Sequence, residues 1–302
     1  MTESVLSIKN LTKRFGRQTA VDGVSFHIEP GERAALIGHN GAGKTTLIKS
    51  ILGFLTPEEG SISVLGNAPG SNAARRSVAY LPEAVAFQKA LTGVEILTFF
   101  SRLKGEDPKT VPGLLEKVGL SEAGRRRVGT YSKGMRQRLG LAQALIGEPS
   151  LVLLDEPTSG LDPVSRQDFY MLVEEVAARG AAVLLSSHAL SEVEAKTDRV
   201  LIMAHGKLVA DDTLASLRRA ARLPIRLRVQ GADVAADEIA ARLGGMRVNC
   251  RSVEIFCDAD EKLAHLAAIS ALGSLVEDVE VTLPSLDDVY RHFTGVDAKK
   301  GS

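Results

Sequence analysis

An apolar strand that runs straight into a glycine-rich loop and then into a helix leaves a chain little choice of fold. Here the strand is Arg33-Ala34-Ala35-Leu36-Ile37 and the loop is Gly38-His39-Asn40-Gly41-Ala42-Gly43-Lys44-Thr45, with a helix predicted from Lys44 to about Gly53. The spacing is Gly-x-x-x-x-Gly-Lys-Thr. Its glycines let the backbone curl, so that successive N–H groups and the positive end of the helix converge on one point. A phosphate suits that point. Lys44 is placed to neutralise β- and γ-phosphate oxygens, and the Thr45 hydroxyl to reach Mg²⁺. The expected cradle is therefore Gly38, His39, Asn40, Gly41, Ala42, Gly43, Lys44, Thr45 and Thr46.

A second strand, Leu151-Val152-Leu153-Leu154, is wholly apolar and stops at Asp155-Glu156. In open parallel sheets ligands collect at the C-terminal ends of the strands, where these two carboxylates emerge. Asp155 suits the Mg²⁺ shell, and Glu156 suits polarising an attacking water. His188 follows the strand Val183-Leu184-Leu185 and the pair Ser186-Ser187, which brings an imidazole to the same edge, within reach of a γ-phosphate or that water. Taken singly, these are solvated acids and a polar histidine. Their order behind the glycine loop is what argues for ATP binding and hydrolysis.

Apolar runs alternating with helices predict an α/β fold with a buried parallel sheet, a P-loop nucleotide-binding architecture. Helical spacing at 92–104 and 109–118, followed by a long helix over 132–146, implies a helical subdomain at about 85–150. The first domain is expected to span 1–220. Beyond it, strands at 225–230, 247–250, 253–257 and 275–282 with helices at 235–243 and 260–271 give the order β-α-β-β-α-β. That predicts a small ferredoxin-like α+β domain at 221–302, followed by a last helix at 286–293. It carries no catalytic motif, so dimerisation or regulation is its expected role.

Charge narrows the partners. The 37 basic and 37 acidic residues cancel, which gives no support to bulk attraction for nucleic acid. No run approaches 18 apolar residues and the first residues lack a leader pattern, so the chain is expected in the cytoplasm. Cys250 and Cys257 lack the Cys-x-x-Cys spacing of a zinc or redox site, and with His265 and His292 make a poor copper site.

The segments together resemble the ABC-ATPase family. Tyr131-Ser132-Lys133-Gly134-Met135 is similar to the family's signature loop, usually Leu-Ser-Gly-Gly-Gln, keeping the serine and the second glycine. Ser132 also reads as an ordinary helix cap. The resemblance implies that Ser132, Lys133, Gly134 and Met135 reach the nucleotide held by a partner copy, which makes ATP the glue of a head-to-tail homodimer. Phe15 matches the aromatic that stacks on adenine, although a core phenylalanine would look the same. Glu83, in Tyr80-Leu81-Pro82-Glu83, stands where the family usually has a glutamine that contacts Mg²⁺ and water. Asp162, in Ser159-Gly160-Leu161-Asp162, matches the loop that couples the two sites. The implied assembly is peripheral on the inner face of the cell membrane, on an integral membrane permease that docks in a groove beside Glu83.

A narrower likeness is to the NosF-type ATPases of nitrous oxide reductase maturation. It rests on the 38–45 loop with His39, the run from Tyr131 to Leu145, and Pro284-Ser285-Leu286-Asp287-Asp288-Val289-Tyr290-Arg291. It implies a periplasmic companion and a role in copper–sulfur centre assembly. The competing readings are a generic exporter ATPase for a drug, lipid or polysaccharide, a soluble ABC protein acting on ribosomes or DNA, and a P-loop kinase.

Overall fold

The computed structural model describes residues 4–188, 190–194, 196–232 and 235–295. They divide into two compact units, the first ending at Asp212 and the second beginning at Thr213. The division expected after residue 220 is drawn earlier because the helix Leu214–Ala220 packs on the helix Leu286–Thr294 of the second unit. Arg218 Nε fastens that helix by donating to Pro284 O at 2.5 Å.

The first unit runs β1 (Leu6–Phe15), β2 (Gln18–Ile28), β3 (Arg33–Ile37), α1 (Lys44–Ile51), β4 (Glu59–Val64), α2 (Asn72–Ser77), β5 (Val78–Leu81) and α3 (Gly93–Lys104). It continues through α4 (Val111–Lys117), α5 (Lys133–Ala144), β6 (Leu151–Asp155), α6 (Pro163–Ala178), β7 (Ala182–Ser187), α7 (Leu190–Val193), β8 (Arg199–Ala204) and β9 (Lys207–Asp212). Among the described residues one sheet has the order β5-β6-β7-β3-β8-β9, parallel throughout except for β9 at its edge. Every residue of β6 and β7 is buried, as their unbroken apolar runs require of strands covered on both faces. Parallel register sets Ile37 beside Ser187 and Asp155 beside Ser186. The strands that carry the chemistry thus end at one edge.

A second, antiparallel sheet, β2-β1-β4, packs into the same core through Leu6, Ile8, Leu11 and Ile28, against Leu36, Leu47 and Ile48. Its hairpin is longer than the apolar pattern predicts. Asn10 takes a left-handed φ of 49°, and the register slips between Ile8 and Leu11 and again before Lys13, so the alternation of faces is lost there. The helices α3, α4 and α5 close over a core of their own, with Ile96, Leu97, Leu115 and Leu139 buried together.

The second unit comprises α8 (Leu214–Ala220), β10 (Ile225–Gly231), α9 (Ala236–Leu243), β11 (Met246–Arg247), β12 (Ser252–Cys257), α10 (Lys262–Ser270), β13 (Val276–Thr282) and α11 (Leu286–Thr294). Its sheet is antiparallel in the order β11-β12-β10-β13, which is the ferredoxin-like arrangement. Leu227, Val229, Ile239, Val253, Ile255 and Cys257 form the core. The strand expected at 247–250 shortens to Met246–Arg247, because Asn249 Oδ1 accepts from the N–H groups of Arg251 and Ser252 and bends the chain there. No helix among the described residues is long and apolar enough to cross a membrane.

Candidate functional site

The glycine loop leaves β3 through backbone that only glycine permits at two positions. A Cβ on Gly38 would fall 2.7 Å from Met203 O and 2.8 Å from the Ala42 Cβ, and one on Gly43 would fall 2.4 Å from Ala20 O. Gly43 also holds φ at 108° and serves as the N-cap of α1 with no side-chain cap. The first N–H groups of α1 therefore point out of the helix end without a side-chain acceptor, which is the electrostatic condition for an anion. Lys44 folds back across the loop, its Nζ donating to Gly38 O at 2.6 Å and to His39 O at 3.4 Å. Burial holds its pKa below the ordinary lysine value, and the charges of Glu156 and Asp155 offset that only in part.

The remaining loop residues follow. His39, Asn40 and Gly41 are exposed and Ala42 is buried. His39 Nδ1 lies 2.7 Å from Asn40 O, with the His205 ring 5.5 Å from its own. Thr45 is exposed on the first turn, and half-buried Thr46 accepts from Ser50 Oγ through its carbonyl at 3.0 Å.

Asp155 is the last residue of β6 and is buried. Its Oδ1 accepts from Ser186 Oγ at 2.5 Å across the β6–β7 register. Glu156, the next residue, sits in the left-handed region at φ 47°, a strain of about 1–3 kcal/mol for a non-glycine residue. Its N–H donates to Ser186 O at 3.1 Å and lies 3.2 Å from Ser186 Oγ, which holds the turn. The turn brings Glu156 Oε2 within 2.7 Å of His188 Nδ1. An ionised carboxylate can only accept, so His188 carries its proton on Nδ1 and donates it to Glu156. Tyr80, on β5 beside Leu153, also faces Asp155: burial and the nearby carboxylate raise its phenol to about 12. Ser186 and Tyr80 are additions to the predicted site. A serine closing the otherwise apolar run Ala182-Val183-Leu184-Leu185 was the available signal.

The donor set fits Mg²⁺ better than a transition metal. One buried carboxylate and a threonine hydroxyl are hard oxygen ligands, too few for a protein cage but suited to an ion completed by phosphate oxygens and water. Among the described residues no three histidine, cysteine or acidic side chains form a metal cluster.

Other predicted residues lie elsewhere. Ser132 caps α5 by accepting from Met135 N at 3.2 Å, and both Ser132 and Lys133 are exposed. Met135 packs partly buried on the helical core. Gly134 faces the 159–162 loop, where a Cβ would touch Leu161 Cδ2 at 3.4 Å. Asp162 caps α6, accepting from Ser165 N at 3.0 Å and Oγ at 2.6 Å, and the Ser165 hydroxyl holds its pKa low. The Ser132 cap and the bond from Arg136 Nη1 to Tyr131 O at 2.5 Å tie residues 131–136 to the start of α5. Phe15 is 50% exposed at the end of β1, with Lys13 Nζ 5.4 Å from its centroid, so it is a surface ring and not a core phenylalanine. Glu83 is exposed just beyond β5, at the sheet edge beside β6.

A phosphate loop, a buried acid and a strained glutamate paired with histidine, all at one sheet edge, define a P-loop ATPase. The sequence model of the ABC transporter family matches residues 21–159. The chain is 42% identical over 219 residues to the Bacillus subtilis ABC transporter ATP-binding protein YxlF, covering 71% of this chain and 73% of that one. It is 32% identical over 312 residues to the daunorubicin resistance ATP-binding protein DrrA3 of Streptomyces coeruleorubidus, covering 99% and 98%. A solved ATP-binding subunit of an ABC transporter superposes with a TM-score of 0.67 at 34% identity, covering 72% of this chain and 93% of that one. The chain belongs to the ABC transporter ATP-binding family and is an ATP-hydrolysing transporter subunit.

Proposed function

We propose that this ATPase drives an export permease, working as a head-to-tail homodimer on the inner face of the membrane. In this reading Lys44 and the loop amides hold the β- and γ-phosphates, and Asp155 with Thr45 holds Mg²⁺, with Glu83 beside them. Bound Mg²⁺ would neutralise charge on the phosphate oxygens. Glu156 accepts a proton from the attacking water, His188 keeps that carboxylate aimed, and Phe15 stacks on adenine. Ser132 and Gly134 serve the partner's nucleotide, Lys133 and Met135 hold that loop from within their own chain, and the second unit supports dimerisation or regulation. The observation that carries the reading is the 2.7 Å pair of His188 with a strained Glu156 at the edge where the phosphate loop opens.

Export is favoured by relatives that match along nearly their whole length, such as the daunorubicin resistance protein and a Nod factor export ATP-binding protein of Rhizobium. The likeness of the 38–45, 131–145 and 284–291 segments to NosF-type ATPases supports a second reading, in which the permease and a periplasmic companion serve nitrous oxide reductase. Purifying the chain from its native membranes and identifying the co-purifying permease tests both. An efflux permease, with loss of resistance to an amphiphilic compound on deletion, is the expected result. Copper-deficient nitrous oxide reductase in the deletion strain would instead support the second reading.

A further inference from the structure

Lys133 stands where the family's signature loop usually has glycine, and a cation at that position suggests another phosphate ligand. The structure points its side chain elsewhere. A Cβ built on Gly160 would lie 2.5 Å from Lys133 Nζ and 3.2 Å from its Cδ and Cε, so the lysine stem lies across Gly160 of the same chain. A neighbouring contact repeats the interlock in reverse: Gly134 leaves room for Leu161 and Ser165, whose atoms would meet its Cβ at 3.4 and 3.7 Å. Each of the two loops thus contributes a glycine that receives a side chain of the other.

The 159–162 loop leads directly to the acids. Ser159 N donates to Glu156 O at 3.2 Å and Leu161 N to Thr158 O at 3.0 Å, so the segment from Glu156 to Leu161 is tied by short-range backbone bonds. Arg166 Nη2 donates to Leu161 O at 3.1 Å and binds the other end of the loop to α6. Anything that displaces Gly160 therefore pulls on the turn that holds Glu156 at φ 47°.

We propose that Lys133 is a positioning residue: its aliphatic stem, strapped over Gly160, holds the loop that follows Glu156 in register with the start of α5. This rests on the head-to-tail reading above, under which the strap makes the loop at one nucleotide respond to the loop serving the other.

The test is a double-mutant cycle on the full chain, reading kcat and KM for ATP separately and checking each variant by thermal melting. Gly160→Ala forces the stem aside and lowers kcat by on the order of tenfold, with KM little changed. Lys133→Gly removes the strap and by itself lowers kcat to a similar degree, and added to Gly160→Ala it lowers kcat no further, because both changes act through the one contact. Adding Lys133→Met keeps the stem without the charge and recovers none. The left-handed strain of an alanine at position 160 is the same with and without Lys133, so it cancels in the cycle. Losses that simply add overturn the proposal, as does a rise in KM that Lys133→Met and Lys133→Gly share, which would make the lysine a phosphate ligand. The head-to-tail reading is checked separately by sedimentation of Glu156→Gln with ATP. A dimer there with an additive cycle rejects the strap alone, and a monomer rejects the reading beneath it.

Discussion

The carboxylate of Asp155 is buried and accepts a short hydrogen bond from Ser186 Oγ, with the Tyr80 phenol also facing it, so these hydroxyls set its orientation. Outer partners of this kind govern metal affinity without touching the metal. Ser186→Ala is expected to raise the Mg²⁺ concentration for half-maximal turnover by roughly 10- to 100-fold. A magnesium titration at fixed ATP measures it, and an unchanged midpoint would separate Ser186 from the metal site. Lys44 is a different case, since its ammonium is buried against loop carbonyls with two acids nearby. Lys44→Ala leaves those carbonyls without their donor and the phosphates without their cation. Loss of ATP binding by equilibrium dialysis is the expected outcome, and retained binding would remove the loop from nucleotide recognition.

Among the elements, the last helix shows how much local sequence can specify. Ser285 accepts from Asp288 N at 3.2 Å, and Asp288 Oδ2 accepts from Ser285 N at 2.9 Å and from its hydroxyl at 2.6 Å, a reciprocal capping box. The serine hydroxyl holds the Asp288 pKa below the usual aspartate range. Stability from a depressed carboxylate is present above its unfolded pKa and is lost as pH falls through the folded one. The second unit should therefore keep this contribution at neutral pH and shed it below about pH 4. Ser285→Ala is expected to cost about 1 kcal/mol at pH 7 and less at pH 3, read from denaturant unfolding at the two pH values. Equal losses at both would assign the effect to the hydroxyl alone. Elements with strong periodicity or sharp ends were legible in this way: β3 and α1 around the glycines, β6 before its acids, α6 between Pro163 and Ala178. The distal halves of β1 and β2 were not, because Asn10 and the register slips interrupt the alternation that sequence reading depends on. In the site, Lys44, Asp155, Glu156 and His188 could be read from spacing. The Ser186 bond to Asp155 and the Lys133 contact with Gly160 could not, because each depends on side-chain packing that no motif spacing encodes.

At the scale of the whole molecule, one chain presents a phosphate loop before α1 and a capped serine loop before α5, with Ser132 and Lys133 exposed. If the second loop serves a copy's nucleotide, an isolated chain holds parts of two sites and completes neither. Zero net charge offers no long-range repulsion to association. Moving such a pair from 1:99 open to 99:1 closed requires ATP to prefer the closed form by about 5.5 kcal/mol. In the proposed head-to-tail dimer two nucleotide sites would have to supply that, and hydrolysis would remove the γ-phosphate between the chains. Two consequences are measurable. Turnover per chain should rise with protein concentration in the range where dimers form, whereas an enzyme complete in one chain would show constant specific activity. Glu156→Gln should bind ATP, sediment as a dimer with ATP and Mg²⁺ but not with ADP, and turn over about 100-fold or more slowly, since a positioned base contributes on that order. Fast hydrolysis by that variant would move the base elsewhere. A monomer at every concentration with full activity would mean that the Ser132 loop is only a helix cap, and that the force on the permease is generated within a single chain.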